Sequence, residues 1–150
     1  MTIELAEAMY TIGALPGEHL PGIAVELLER GDDTPAVRVL AGLDNPTLRD
    51  AGEIFERVLL ELGRKRISRN EAAWVLARDI ARKVIGEKIT PREARHLGAP
   101  LAPGSDYHSA LMPFYRGDDE YDLPFLQKEE IDRQIVKHCH EITSSESNAV

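Results

Sequence analysis

Apolar residues recur along this chain at three- and four-residue intervals, between short polar marks that start and stop helices. From 46 to 62, Leu48, Ala51, Ile54, Phe55, Val58, Leu59 and Leu62 form one stripe, with Glu53 and Arg57 four apart on the opposite side. From 69 to 85, Ala73, Leu76, Ala77, Ile80, Ala81 and Val84 form a second stripe, which Trp74 and Ile85 widen on one flank. The short link 63–67 predicts that these two helices pack antiparallel. Shorter helices are expected over 2–11, 21–30, 35–41 and 91–97. A last long helix is expected over 124–142, with Ile131, Ile135, Cys139 and Ile142 on its buried side. No stretch alternates apolar and polar residues as a half-buried strand does.

The helix ends carry recognisable chemistry. Thr34-Pro35 and Asn45-Pro46 each place a capping side chain before a proline, which loses nothing at the first helical position. Thr90 with Glu93, and Ser68 with Glu71, have the spacing of capping boxes. Gly31, Gly42, Gly63, Gly86 and Gly98 stand where helices should stop in a left-handed residue. The segment 99–122 holds Pro100, Pro103, Gly104, Pro113 and Gly117 and reads as a long irregular loop. The polar tail 143–150 is expected to be disordered. The predicted fold is therefore all-α: a compact single-domain bundle of six or seven helices over 1–142, built around the 46–62 and 69–85 pair. No repeat of solenoid period is present.

A chain of 150 residues is long enough for its own core, and one cysteine, Cys139, excludes an internal disulfide. The N-terminus has early glutamates in place of a basic start and an apolar run, and no apolar run approaches the ~20 residues that span a bilayer. A cytoplasmic protein with no membrane partner is the expectation.

Net charge is -8, which disfavours nucleic acid and favours a basic partner. The charge is uneven. Residues 1–20 contain Glu4, Glu7 and Glu18 but no lysine or arginine, whereas Arg64, Lys65, Arg66, Arg69, Arg78, Arg82, Lys83, Lys88 and Arg92 make the middle basic. The helices over 69–97 have the outline of a DNA-binding helix-turn-helix, but the second is short, and Glu93 and His96 suit neither phosphate nor guanine.

Catalytic, cofactor and metal sites are not expected. His138 and His140 are two apart and point to opposite sides of a helix, so they do not form a metal pair, and Cys139 between them belongs to the apolar stripe. Ser105, Asp106 and His108 are the residue types of a hydrolase triad, but they are crowded into one loop without a Gly-x-Ser-x-Gly elbow. The acids near 118–122 do not fit a calcium loop, and no phosphate-binding glycine motif occurs.

What remains is a segment where Met112, Phe114, Tyr115 and Tyr121 are interleaved with Arg116 and acids. Tyrosines beside carboxylates make an amphipathic surface suited to a basic protein partner. The candidate partner-binding residues are Tyr115, Asp118, Asp119, Glu120, Tyr121 and Asp122. The alternatives are a small-ligand binder or enzyme near the 99–122 loop, using His96, His108 and the acids, and a structural homo-oligomer.

The run Leu76-Ala77-Arg78-Asp79-Ile80-Ala81-Arg82-Lys83-Val84-Ile85-Gly86-Glu87-Lys88-Ile89-Thr90-Pro91-Arg92-Glu93-Ala94 resembles a group of small acidic all-helical bacterial proteins with the same order of helix, glycine turn and Thr-Pro cap. Leu111-Met112-Pro113-Phe114-Tyr115, followed by the acids of 118–122 and a terminal helix, is similar to the later part of those proteins. The resemblance covers about the C-terminal two-thirds of the chain. It implies an all-helical fold, and no activity or functional residue follows from it. In size and acidity the chain is similar to bacterial immunity proteins and antitoxins, which suggests a non-enzymatic module that neutralises a basic partner.

Overall fold

The computed structural model describes residues 1–120, 123 and 127–147, with 146 and 147 as backbone only. The protein is all-helical: eight α-helices and no strand occur among the described residues. Its packing divides into two compact units, Met1–Ser68 and Arg69–Val150.

The first unit contains α1 (Ile3–Thr11), α2 (Leu20–Glu29), α3 (Pro35–Ala41) and α4 (Leu48–Glu61). Thr2 and Thr34 cap α1 and α3 as side-chain acceptors for Leu5 and Val37 N–H. The cap of α4 is Thr47, in a reciprocal box with Asp50, so the cap lies two residues beyond the expected Asn45. Asn45 instead takes a left-handed φ of 42°, and Pro46 is buried between it and the cap. Ile3, Leu20, Ile23, Leu27, Val37, Leu40, Phe55 and Val58 meet in one core. Each large side chain removed from water there supplies about 1.5–3 kcal/mol. A 3₁₀ turn, Gly17–His19, approaches the start of α4 so closely that a Cβ on Gly17 would overlap the backbone of Thr47 and Leu48.

The second unit contains α5 (Arg69–Ile85), α6 (Pro91–Gly98), α7 (Met112–Glu120) and α8 (Lys128–Ser147). Helix α5 packs most extensively on α8, and α6 on α7. Helix α4, for its part, packs on α3. Within each unit these pairs organise the core. Leu76, Ile80 and Val84 of α5, Phe114 of α7, and Ile131, Ile135, Cys139 and Ile142 of α8 are buried. Thr90 and Glu93 form the expected capping box at α6.

Helix α7 lies inside the segment expected to be irregular. Two 3₁₀ turns, Ala99–Leu101 and Pro103–Ser105, lead into α7. Pro113 is the second residue of α7, where its missing N–H breaks no helical bond. Gly117, read from sequence as a loop residue, is a packing residue. A Cβ there would stand 2.7 Å from Arg95 Cδ and 3.2 Å from Ile135 Cδ1. Helix α8 runs on to Ser147, so the tail expected to be disordered from 143 begins as helix. Of the five expected glycine stops, only Gly31 and Gly63 are left-handed. After α5 that conformation falls on Glu87, and Gly98 ends α6 where a Cβ would overlap Phe114.

Candidate functional site

Helix α7 sorts the candidate residues by face. Tyr115, Asp118 and Asp119 are three and four apart and share one side, whereas Arg116 and Glu120 lie on the other flank with Pro113 and Gly117. Asp119 is exposed, and Tyr115, Asp118 and Glu120 are half-buried. Tyr121 and Asp122 lie outside the described residues.

Two contacts define the outer face. His96 Nδ1, in the last turn of α6, lies 3.0 Å from Asp118 Oδ1. Tyr115 meets the ring of Tyr107 edge-on, with centroids 5.5 Å apart. Tyr107 is 52% exposed, and its backbone is left-handed, as is that of Asp106. Two successive non-glycine residues in that region carry strain of order 1 kcal/mol each, held by the surrounding structure. The local ties are an Arg69–Asp106 ion pair at 3.3 Å and a hydrogen bond from Tyr107 N–H to Ala102 O at 2.8 Å. The tyrosine thereby presented was missed by sequence reasoning, which weighed its segment only as a triad.

That triad is not assembled. The Ser105 hydroxyl donates to Ala102 O at 2.8 Å and accepts from His108 N–H at 3.3 Å, so its proton is not directed at an imidazole. Asp106 faces Arg69, and His108 bonds to Asn70 and Ala110. His96 and His108 therefore serve separate contacts. Trp74, on the α5 stripe, packs edge-on against His108, and the Arg78 guanidinium lies 5.0 Å from the Trp74 ring.

The other flank of α7 faces α8 across a groove of about 350 Å³. Its lining includes His138, which sequence reasoning placed only as half of a rejected metal pair. His138 Nε2–H donates to Ala110 O at 2.8 Å, and its ring packs edge-on against Phe114. His140 is exposed on α8, and Cys139 between them is buried, as the stripe required. Burial pushes the Cys139 thiol up to about 11. No group of three or more metal-ligating side chains converges among the described residues. No helix among them is long and apolar enough to cross a membrane.

Beneath α7, Arg95 is almost wholly buried, and its Nη1 donates to Gly117 O at 2.9 Å. This guanidinium fixes α6 to α7 and so holds the Tyr115–Asp119 face in place. The chain matches no family model, no curated protein and no solved structure.

Proposed function

We propose that this protein is a non-enzymatic binding module whose outer α7 face receives a basic partner protein. The reading is carried by one arrangement: exposed Tyr107 held edge-on to Tyr115, with the exposed carboxylate of Asp119 one turn along the same helix. Paired aromatic rings supply rigid contact area at little entropic loss, and rim carboxylates steer a positively charged partner. The total charge of -8 favours the same encounter. Asp118 plays a supporting part, because His96 engages its carboxylate. Such a module masks its partner in the manner of an immunity protein or antitoxin.

The test is recovery of partners by the tagged protein from its own cells, followed by titration of the purified pair. A single stoichiometric basic protein should be retained by the native chain. Tyr107→Ala and Asp119→Lys should each lower its affinity at least about tenfold, equivalent to about 1.4 kcal/mol, without lowering the melting temperature. A partner held equally well by both variants would place binding elsewhere and overturn this assignment of the face.

A further inference from the structure

The groove between α7 and α8 has a charge arrangement that the fold itself does not use. Its register follows from three contacts. Ala110 and Phe114 meet His138, and Gly117 meets Ile135. Higher numbers on α7 thus face lower numbers on α8, so the two helices run antiparallel. Ile131 and Ile135 are buried along the α8 side of the groove. Gly117 lets α7 approach α8 closely at this point, since a Cβ there would stand 3.2 Å from Ile135 Cδ1.

Four charged residues line the same groove: Arg116 and Glu120 from α7, and Lys137 and Glu141 from α8. Each pair is spaced i, i+4 on its own helix, where ion pairs readily form. Closed intrahelical pairs do occur in this unit, as Lys83–Asp79 at 2.6 Å and Arg133–Glu130 at 2.6 Å. Neither groove pair is closed, and none of the four side chains makes a hydrogen bond or ion pair with a described residue. The groove therefore offers open cations and open anions beside an apolar floor.

We propose that this groove is a binding site for a free aliphatic amino acid. The carboxylate of the ligand is received by Arg116 and Lys137, its ammonium by Glu120 or Glu141, and its side chain lies on Ile131 and Ile135. A ligand with one charge alone meets repulsion from half of the lining, whereas an amphoteric one satisfies both signs. The volume, about 350 Å³, is at the small end of the range for ligand pockets and suits a molecule of this size. This site is separate from the outer α7 face and does not depend on the protein-binding reading.

The experiment is an NMR titration of the intact protein with L-leucine, following the Ile131 and Ile135 methyl resonances and the His138 ring. Saturable shifts are expected, with a Kd of order 1 mM or tighter. 4-Methylpentanoate, which lacks the ammonium, and leucinol, which lacks the carboxylate, should each bind at least about tenfold more weakly. Arg116→Gln with Lys137→Gln should weaken leucine by a similar factor. Both side chains are exposed, so the doubly substituted protein should fold, and its unperturbed amide spectrum checks this. Absence of saturation at leucine concentrations well above 10 mM would overturn the proposal. So would equal binding of leucine and 4-methylpentanoate, or leucine affinity unchanged by the double substitution.

Discussion

His108 and His138 hold the two backbone polar groups of buried Ala110, its N–H and its C=O. His108 Nδ1 accepts from Ala110 N–H at 3.1 Å, and His138 Nε2–H donates to Ala110 O at 2.8 Å. A carbonyl only accepts and an amide only donates, so each bond determines where that imidazole nitrogen carries its proton. His108 then has its proton on Nε2, facing Asn70 Oδ1 at 2.7 Å. The clamp stands just before α7, where His108 O accepts from Leu111 and Met112 N–H. Replacing either histidine by alanine leaves a buried polar group of Ala110 without its partner, at about 1–3 kcal/mol. Denaturant unfolding of both single variants and the double variant checks this. Strict additivity would count against coupling through Ala110, because groups in one network couple.

The glycines divide into two kinds with opposite responses to alanine. At Gly117 an added Cβ meets Arg95 and Ile135, and at Gly98 it meets Phe114, all of them in packed surroundings. Overpacking of about 1–3 kcal/mol outweighs a helix-propensity gain of about 1 kcal/mol, so Gly117→Ala and Gly98→Ala should lower the melting temperature. At Gly22, exposed in α2, a Cβ meets nothing within 4 Å. Gly22→Ala should therefore stabilise by about 0.5–1 kcal/mol. Equal effects at the three sites would contradict the packing roles of Gly98 and Gly117.

Alkaline stability should depend on Tyr10. Its hydroxyl donates to Glu56 at 2.7 Å, and burial together with that carboxylate pushes its pKa up to about 12. The unfolded chain deprotonates near the ordinary value of about 10. The folded form is thus favoured by the neutral phenol: the contribution is complete below pH ~10 and is lost as pH rises from there through about 12. Tyr10→Phe should abolish this part of the alkaline decline. Parallel pH profiles of the native and substituted proteins between pH 9 and 12 would refute the link.

The acid limb has the opposite sign. Hydrogen bonds from Thr47 and Thr90 hold the Asp50 and Glu93 carboxyls below their usual ranges. Their capping contribution is present above the unfolded pKa and is lost as pH falls through the folded one. Glu93→Gln should flatten the acid profile on the α6 side, which amide exchange in that helix would report.

Cys139 should be chemically silent in the native state. With its thiol near 11, about one molecule in a thousand carries the thiolate at pH 8, and the side chain is buried besides. A disulfide reagent should label it only as fast as the second unit opens, with labelling accelerated by denaturant. Immediate labelling of the folded protein would place Cys139 at the surface.

Much of the architecture was legible because helix formation is local. Apolar stripes at three- and four-residue spacing marked α1–α6 and α8 within a few residues, and the caps at Thr34 and Thr90 were readable from side chain and spacing alone. The burial of Cys139 followed from its place in a stripe. Helix α7 was not legible. Pro113 and Gly117 are breakers by propensity, and only the approach of Arg95 and Ile135 shows why a glycine belongs there. Of the candidate site, Tyr115, Asp118, Asp119 and Glu120 were named from composition, but their division between two faces required the helix. Tyr107 became a candidate only once its left-handed backbone and the ring of Tyr115 were seen together. The sequence by itself determined every helix but α7, the caps at Thr34 and Thr90 and the acidic balance, because these depend on neighbours within a turn or on simple counting. The tertiary structure decided which helices share a core, which glycines serve packing, and which histidine nitrogen bears a proton. Those outcomes depend on atoms far apart in the chain, brought within a few ångströms by packing.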